Sequence, residues 1–193
     1  MLKELSGYST PPQRWLITGA GGLLGKHLIA TRPSGVELLG SSRVGRGYPG
    51  VTSLKMDLQS PSEISESLGA FCPEGIIHCA AEGRVDLVEG RLDDYIPVNV
   101  TAPEILAAHS SVMGIPFVFI SSNAVFYGGG QLNDWSPLTP STDYGKLKAM
   151  AEKRVSAANP TTLIVRPILM FGWPNYGYRG NLVSKWVSSL END

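Results

Sequence analysis

A tyrosine and a lysine four residues apart could carry acid–base chemistry in this chain. Tyr144 and Lys148 open a helix-type stretch, where residues at i and i+4 lie on one face. An ammonium beside a phenol stabilises the phenolate and so lowers the phenol pKa from about 10 toward neutrality. Such a phenol can give a proton to a carbonyl oxygen, or take one in the reverse direction. The pair therefore predicts proton transfer at a substrate oxygen.

A serine upstream could act on the same oxygen. Ser122 follows the apolar run that ends in Phe119 and Ile120. In open α/β sheets, ligands bind at the carboxyl ends of the strands, where Ser122 would stand. Its hydroxyl could donate a second hydrogen bond to the oxygen that Tyr144 serves. A tyrosine and a lysine at this spacing also occur by chance, so the hypothesis depends on this neighbour.

A glycine-rich turn near the N-terminus could hold a dinucleotide. It reads TGAGGLLG over residues 18–25, directly after an apolar run and before a helix-type stretch. Gly19 would allow the tight turn, Gly22 the approach of the backbone to a pyrophosphate, and Gly25 close helix–strand packing. The free N–H groups at the helix N-terminus would then face the phosphates. The alternative is a turn whose glycines serve packing alone.

The end of the second apolar run indicates which dinucleotide would bind. An NAD site places an acidic residue there to bind the ribose 2′-hydroxyl. This run instead ends in Ser42 and Arg43, with Arg46 close behind, while Glu37 stands at its beginning. Hydroxyls and a guanidinium would bind a 2′-phosphate, which a carboxylate would repel. The sequence therefore favours NADP, with NAD possible if Arg43 is only a solvated surface arginine.

Short apolar runs and helix-type stretches must position these residues. The runs, most of them rich in β-branched or aromatic residues, are typical of strands buried on both faces of a parallel sheet. They cover residues 15–17, 36–39, 51–56, 75–78, 116–120 and 162–165, and the helix-type stretches cover 23–30, 61–68, 93–111 and 143–158. Ser60, Pro61 and Glu63 form a helix start signal for the second stretch. This alternation predicts an α/β fold with a doubly wound parallel sheet.

Composition restricts the class of protein. Hydrophobic residues make up 42% and charged residues 17% of the 193, which excludes a disordered chain. A net charge of −1 provides no electrostatic footprint for nucleic acid or an anionic membrane. No apolar run approaches the ~20 residues of a membrane span. The two cysteines are too few for a disulfide framework, and the N-terminus carries charge too early to be a signal peptide. These observations together predict a cytoplasmic protein.

Taken in order, the motifs resemble the extended short-chain dehydrogenase/reductase superfamily. They are the glycine turn at 18–25, IHCAAE at 77–82 with Asp86 and Glu89, Val98-Asn99-Val100, Ser121-Ser122-x-x-Val125-Phe126, Tyr144-x-x-x-Lys148 and Arg166-Pro167. The likeness is greatest to the dTDP-4-dehydrorhamnose reductases and the regulatory β subunits of methionine adenosyltransferase. It covers residues 14 to about 172 and implies a Rossmann-like NADP-binding domain.

The resemblance also implies roles for single residues. Tyr144 would be the proton donor, Lys148 would lower its pKa and bind the nicotinamide ribose, and Ser122 would polarise the carbonyl. Asn99 would support the active-site helix and a proton-relay water, unless it only bonds nearby backbone.

A larger set of residues would bind the cofactor. Asp57 would lie beside the adenine unless it caps a strand end, and Pro167 would lie near the carboxamide. The full implied set is Gly19, Gly22, Leu23, Leu24, Gly25, Ser42, Arg43, Asp57, Leu58, Ala80, Ala81, Asn99, Tyr144, Lys148 and Pro167. No metal site is expected: His78 and Cys79 are neighbours on a strand, face opposite ways, and are assigned to packing.

The chain divides into a lead-in at residues 1–13, the NADP-binding domain at 14–170, and an incomplete beginning of a substrate-binding lobe at 171–193. Superfamily members carry roughly a hundred further residues in that lobe, so a truncated lobe is expected. A fragment, a partner chain that completes the pocket, or a protein without turnover would each explain it. The aromatic stretch Trp173–Tyr178 could be a substrate lid or an ordered loop.

Three functions fit these expectations. The first is NADP-dependent reduction of a keto group on a nucleotide-linked deoxysugar, with Tyr144 as proton donor. The second is a non-catalytic NADP-binding regulatory subunit, which the stretch from His78 to Glu82 and the missing lobe favour. The third is epimerase or dehydratase chemistry on a sugar nucleotide. The oligomeric state is left open, although superfamily members often form homodimers through the helices beside the active site.

Overall fold

The computed structural model describes residues 14–128 except 44, 46, 48 and 49, together with residues 132–172 and 182–190. The predicted lead-in at residues 1–13, Arg46 and the aromatic stretch Trp173–Tyr178 lie outside the described residues. Within the described part of the chain, no helix is long and apolar enough to cross a bilayer.

Six parallel strands form one sheet. They are β1 (Arg14–Thr18), β2 (Glu37–Ser42), β3 (Thr52–Lys55), β4 (Gly75–His78), β5 (Phe117–Ile120) and β6 (Leu163–Val165), in the spatial order β3-β2-β1-β4-β5-β6. All six predicted apolar runs are therefore strands. In register, Thr18 stands beside Ser41 of β2 and His78 of β4. The strand order reverses at β1, so the carboxyl ends of these strands form the crevice in which such sheets bind ligands.

In the part of the chain that the structure describes, seven α-helices connect or follow the strands. They are α1 (Leu23–Ala30), α2 (Pro61–Phe71), α3 (Val85–Val88), α4 (Leu92–Ile96), α5 (Ala102–Met113), α6 (Asp143–Ala158) and α7 (Leu182–Leu190). As predicted, Ser60 caps α2, because its Oγ accepts a hydrogen bond from the N–H of Glu63 at 3.3 Å. The helix predicted over 93–111 is interrupted by a π-helical turn (Pro97–Thr101). A 3₁₀ turn (Asn123–Val125) follows β5.

Helices cover both faces of the sheet, which confirms the doubly wound, Rossmann-like fold. Successive residues of a strand point to opposite faces, and Leu16 and Ile17 of β1 accordingly enter two different cores. One core joins Leu16 to side chains of α2, α5 and α6, including Ile64, Leu106 and Leu147. The other joins Ile17 to Ala20, Leu38 and Ile29 of α1. The sheet is thus held rigidly beneath the loops at its carboxyl edge.

Candidate functional site

The glycine turn connects β1 to α1 in a conformation that its glycines make possible. Gly19 has a φ of +67°, and a Cβ there would lie 2.8 Å from the backbone nitrogen of Ala80. A Cβ on Gly25 would lie 2.5 Å from the carbonyl oxygen of Gly19 and 2.8 Å from Cα of Ala20. Such distances require backbone to move. Gly19 and Gly25 therefore have the turn and packing roles predicted for them, while contact with a pyrophosphate stays a prediction.

A first cavity, of about 370 Å³, opens beside this turn at the ends of β1, β2 and β4. It brings together eight of the predicted cofactor residues: Gly19, Gly22, Ser42, Arg43, Asp57, Leu58, Ala80 and Ala81. Ser41, Tyr95 and Glu82 also line it and were missed by the sequence analysis. We call this the glycine-turn cavity.

The charges around the glycine-turn cavity follow the sequence expectation in part. Arg43 lies in its wall and is exposed, whereas Glu37 lies at the opposite end of β2, with an oxygen 3.5 Å from Nε of Arg14. Asp57 lines the cavity, and its Oδ1 also accepts a hydrogen bond from the N–H of Gln59 at 3.0 Å. Asp57 therefore stabilises a local turn and faces the cavity, while its place beside the adenine stays a prediction.

A second cavity, of about 590 Å³, adjoins the first. Its walls include the predicted residues Leu23, Leu24, Gly25, Tyr144 and Lys148. Both cavities share Gly19, Gly22, Ala81 and Glu82, so they are two ends of one groove along the carboxyl edge of the sheet. We call the second end the tyrosine cavity.

Tyr144 lies in the first turn of α6 and reaches Ser122. The side chain of Ser122 hydrogen-bonds to the phenol, and its Oγ also accepts a hydrogen bond from the N–H of Ala124 at 3.1 Å. Burial raises the pKa of Tyr144 above its ordinary value, and the Ser122 hydrogen bond opposes this shift. The structure therefore unites Tyr144 and Ser122 as predicted, with the phenol in its neutral form at neutral pH.

Lys148 lies below the phenol and is almost fully buried, with 2% of its surface exposed. Its Nζ donates a hydrogen bond to the carbonyl oxygen of Ile120 at 2.9 Å and lies 4.9 Å from the ring centre of Phe119. Burial lowers the pKa of Lys148 to about 8. Lys148 is not among the groups that shift the pKa of Tyr144. The expected lowering of the Tyr144 pKa is therefore wrong for this structure, because loss of solvent outweighs any attraction by the ammonium.

Asn99 lies in the π-helical turn and holds the loop after β4 rather than α6. Its Oδ1 accepts a hydrogen bond from the N–H of Glu82 at 2.8 Å, and its Nδ2 donates one to the carbonyl oxygen of Glu82 at 3.0 Å. The side-chain amide of Asn99 therefore does not support the active-site helix as the resemblance implies. Both its oxygen and its nitrogen are hydrogen-bonded to the main chain of Glu82. The alternative of a local backbone bond is also wrong, since Glu82 is 17 residues away.

Arg166 and Pro167 brace the loop after β5. The carbonyl oxygen of Pro167 accepts a hydrogen bond from the N–H of Asn123 at 3.0 Å. Arg166 donates to both carboxylate oxygens of the buried Glu152, at 2.9 and 2.8 Å. Among the described residues, Met170 rather than Pro167 lines the tyrosine cavity. The position expected for Pro167 beside a carboxamide is therefore not a wall of this cavity.

His78 and Cys79 face opposite sides of β4, as predicted, but both do more than pack. The imidazole of His78 stacks on Phe119, with ring centres 5.9 Å apart, and its Nδ1 lies 2.8 Å from Oγ1 of Thr18. The same hydroxyl accepts a hydrogen bond from the N–H of Ala80 at 3.3 Å. Thr18 therefore ties the end of β1 both to His78 of β4 and to the loop after β4. Cys79 lines the tyrosine cavity, and burial raises its pKa to about 12.

Comparison with known proteins places the chain in a family. The profile of the family described as the RmlD substrate binding domain matches residues 13–192. Curated relatives include the probable low-salt glycan biosynthesis reductase Agl14 of Haloferax volcanii (32% identical over 178 residues), methionine adenosyltransferase 2 subunit beta of Xenopus tropicalis (32% over 164) and dTDP-4-dehydrorhamnose reductase of Mycobacterium tuberculosis (31% over 160). These alignments cover 90%, 84% and 80% of this chain but 59%, 48% and 49% of the relatives.

Solved structures agree with this placement. A dTDP-4-dehydrorhamnose reductase from Bacillus anthracis in complex with NADP is similar with a TM-score of 0.82 and 25% identity, over 95% of this chain and 61% of that one. The same reductase from Yersinia enterocolitica gives 0.79 and 27%, over 93% and 60%. The chain thus spans about half the length of most of the curated relatives it matches. It belongs to the RmlD substrate binding domain family, which confirms its resemblance to the extended short-chain dehydrogenases/reductases.

Proposed function

We propose that this chain binds NADPH along the groove and takes part in the reduction of a keto group on a nucleotide-linked deoxysugar, with Tyr144 as proton donor. The observation that carries the proposal is that Tyr144 and Lys148 line a cavity that continues into the glycine turn, with Ser122 near enough to the phenol to lower its pKa. A general acid and a second donor then meet where a dinucleotide bound over the turn would end.

The glycine-turn cavity supports NADP as the cofactor. Gly19 and Gly25 leave a cradle that a Cβ would fill, and the first residues of α1 present free N–H groups to a phosphate. Ser41, Ser42 and Arg43 provide hydroxyls and a guanidinium where a 2′-phosphate would lie. The NADP complex of the similar reductase from Bacillus anthracis supports the same choice.

Separate titrations with NADPH and NADH test this choice of cofactor. We expect micromolar binding of NADPH and much weaker binding of NADH, followed by nicotinamide fluorescence. Equal binding of the two would remove the argument from Arg43 and leave NAD as an equal candidate. Binding of neither would contradict the proposal.

The tyrosine cavity supports the acid role. When bound, NADPH supplies the hydride that adds to the carbonyl carbon. As the carbonyl electron pair moves onto oxygen, the hydroxyl of Tyr144 gives its proton to that oxygen and becomes a phenolate. The Ser122 hydroxyl donates a hydrogen bond to the same oxygen, and the buried ammonium of Lys148 provides positive charge nearby. Because burial raises the pKa of Tyr144, the phenol holds its proton at neutral pH, which suits reduction.

Substitution of the tyrosine tests the acid role. Tyr144→Phe should lower turnover by orders of magnitude and leave NADPH affinity nearly unchanged, since the variant loses only the phenolic proton. Tyr127→Phe is the matched control, because Tyr127 is 72% exposed and belongs to neither cavity wall in the described part of the chain. Turnover equal to that of the unmodified protein in Tyr144→Phe would contradict the proposed mechanism.

A non-catalytic, NADP-binding regulatory subunit is the second candidate. The methionine adenosyltransferase 2 β subunits favour it, because at 32% identity they resemble this chain as closely as the curated reductases do. Co-purification with a larger enzyme, together with NADPH binding but no ketone reduction, would support this role. Rapid ketone reduction by the isolated protein would count against it.

A further inference from the structure

We propose that Gly145 is a positioning residue: its missing side chain lets α6 rest on the main chain of Ala124, and this contact holds the Ser122 hydroxyl against the Tyr144 phenol. The inference rests on the proposed acid role of Tyr144. It adds a residue between Tyr144 and Lys148 that neither binds a ligand nor reacts, and that fixes the geometry of the two hydroxyls.

The contact requires glycine for reasons of space. Gly145 does not have the positive φ that favours glycine. A Cβ there would overlap the carbonyl oxygen of Ala124, and it would lie 3.1 Å from the carbonyl carbon of Ala124 and 3.0 Å from Cβ of Pro140. Glycine inside a helix is less favourable than alanine by about 1 kcal/mol. Helix stability alone would therefore favour alanine at this position, and close approach of the 3₁₀ turn explains the glycine.

Ala124 transmits this contact to the serine. Its N–H donates the hydrogen bond that Oγ of Ser122 accepts at 3.1 Å, so the residue whose carbonyl group Gly145 approaches also orients the serine through its own N–H. The 3₁₀ turn is fixed on two further sides: the N–H of Asn123 bonds to the carbonyl oxygen of Pro167 at 3.0 Å, and that of Thr139 bonds to the carbonyl oxygen of Val125 at 2.9 Å. The turn therefore has little freedom to move without disturbing Ser122.

The start of α6 is fixed as well. Oγ1 of Thr142 accepts a hydrogen bond from the N–H of Gly145 at 3.1 Å. Asp143 is held to the loop after α3, because its Oδ2 accepts from the N–H of Gly90 at 2.9 Å and its own N–H donates to a carboxylate oxygen of Glu89 at 3.2 Å. A Cβ at position 145 would press two anchored elements apart, and the hydrogen bond between Ser122 and Tyr144 spans that interface.

The chain offers a matched control in α2. Gly69 is also a helical glycine, but a Cβ there would meet no atom within 4 Å. Gly69→Ala should therefore raise the midpoint of thermal unfolding slightly, through helix propensity alone. The pair separates the loss of space from the general effect of replacing glycine in a helix.

The test measures the ionisation of Tyr144 directly. The alkaline difference absorbance of Gly145→Ala is compared with that of Gly69→Ala, and a Tyr144→Phe background isolates one of the seven tyrosines. Because the Ser122 hydrogen bond lowers the pKa of Tyr144, its loss in Gly145→Ala should raise this pKa as far as Ser122→Ala does. The double variant should show no further rise. An unchanged titration in folded Gly145→Ala, or a fall toward the ordinary value, would overturn the proposal.

Kinetics and binding separate this inference from the proposed function. Gly145→Ala should lower kcat by about 10-fold to 100-fold, with a smaller change in KM, because hydroxyls displaced by a fraction of an ångström act poorly in the transition state. NADPH affinity should stay within about 2-fold, since the glycine turn lies on other elements. If Tyr144→Phe keeps full turnover, the proposed function fails, while the shift of the phenol titration still stands.

A second variant keeps the proposal testable if Gly145→Ala does not fold. Ala124→Gly frees the same peptide from the other side of the contact without adding an atom. It should weaken the hydrogen bond to Ser122 and raise the pKa of Tyr144 by a smaller amount. No change in the phenol titration of Ala124→Gly would contradict the inference.

Discussion

The two ends of the groove differ in what shapes them: close backbone contacts at the glycine-turn end, and titratable side chains at the tyrosine end. At the glycine-turn end, Gly19 and Gly25 bring backbone against backbone, and the first cavity is bounded largely by the loops that follow the strands. At the tyrosine end, the titratable side chains of Cys79, Tyr144 and Lys148 line the cavity, and His78 is buried on the other side of β4. The first end is therefore sensitive mainly to added volume, and the second is sensitive to charge as well.

Burial shifts four titratable groups in or behind the wall of the tyrosine cavity toward their neutral forms. It raises the pKa of Tyr144, raises that of Cys79 to about 12, lowers that of Lys148 to about 8 and lowers that of His78 to about 3. In each case desolvation is the largest cause, because the charged form loses its water. The stability of the protein should therefore depend on pH through the groups at this end. At the glycine-turn end, added side-chain volume should lower stability and cofactor affinity instead.

The largest expected effect concerns His78 in acid. Its pKa of about 3 in the folded protein lies below its ordinary value of 6.5, so the unfolded chain binds the proton first as pH falls. The unfolding free energy should therefore decrease from pH 6.5 down to pH 3, by about 5 kcal/mol in total from this group. His78→Gln should lack this contribution in denaturant titrations at several pH values.

The control for His78 is another histidine. His27 lies exposed on α1, so the difference between His78→Gln and His27→Gln isolates the effect of the buried site from that of replacing a histidine. If the unfolding free energies of the unmodified protein and His78→Gln fall in parallel below pH 6.5, the buried His78 does not cause the pH dependence. The proposed electrostatic difference between the two ends would then be wrong.

The next effect tests volume at the glycine-turn end. Gly19→Ala places a Cβ 2.8 Å from the backbone nitrogen of Ala80 at a φ of +67°. The strained φ and the overpacking should together lower the unfolding free energy by about 3–4 kcal/mol and NADPH affinity by roughly 100-fold. Gly83→Ala is the control in the same groove, since a Cβ there meets nothing within 4 Å. Similar cofactor affinities for the two variants would refute the idea that this end acts by shape.

Lys148 gives the third effect, and its sign is unusual for a buried residue. Its pKa of about 8 lies below the ordinary 10.5, so below pH 8 the folded protein carries the full penalty of a buried charge, which disappears by pH 10.5. Lys148→Met should thus gain stability relative to the unmodified protein at pH 7, by about 3 kcal/mol more than at pH 10.5, while it loses turnover.

Lys146 provides the comparison for Lys148 on the same helix. It is half exposed and pairs with Asp143 at 2.8 Å, which raises its pKa instead. Lys146→Met should therefore show no gain of stability at pH 7, as thermal unfolding at the two pH values would report. If the difference in unfolding free energy between Lys148→Met and the unmodified protein does not change with pH, burial of the Lys148 ammonium does not destabilise the folded protein.

The sequence predicted the glycine-turn end better than the tyrosine end, for a physical reason. A tight turn or a close approach of backbone requires glycine, so the glycines at positions 19 and 25 predict the local geometry directly from the sequence. Gly145 carried the same kind of signal, a glycine within a strongly helical pattern, and could have been found by asking what it touches.

Features that depend on distant partners could not be predicted in this way. The rise in the pKa of Tyr144 comes from burial by many side chains that are far apart in the sequence. Asn99 finds its partner at Glu82, across α3 and α4. The six strands follow from local patterns, and their doubly wound parallel arrangement follows from the rules of sheet connection. Protonation states and amide partners, in contrast, exist only once the chain has packed.

The smallest effect concerns Arg43, where the glycine-turn end depends on charge rather than on shape. Arg43→Gln removes a guanidinium from the cavity wall and should lower NADPH affinity by about 10-fold while leaving NADH affinity unchanged. Because Arg43 is exposed, this difference should shrink as ionic strength rises, which the volume effect at Gly19 should not do. Arg154→Gln, which removes an arginine paired with Glu104 far from the groove, controls for net charge. If Arg43→Gln weakened NADPH and NADH equally, Arg43 would be contributing to the shape of the cavity, and shape alone would describe the glycine-turn end.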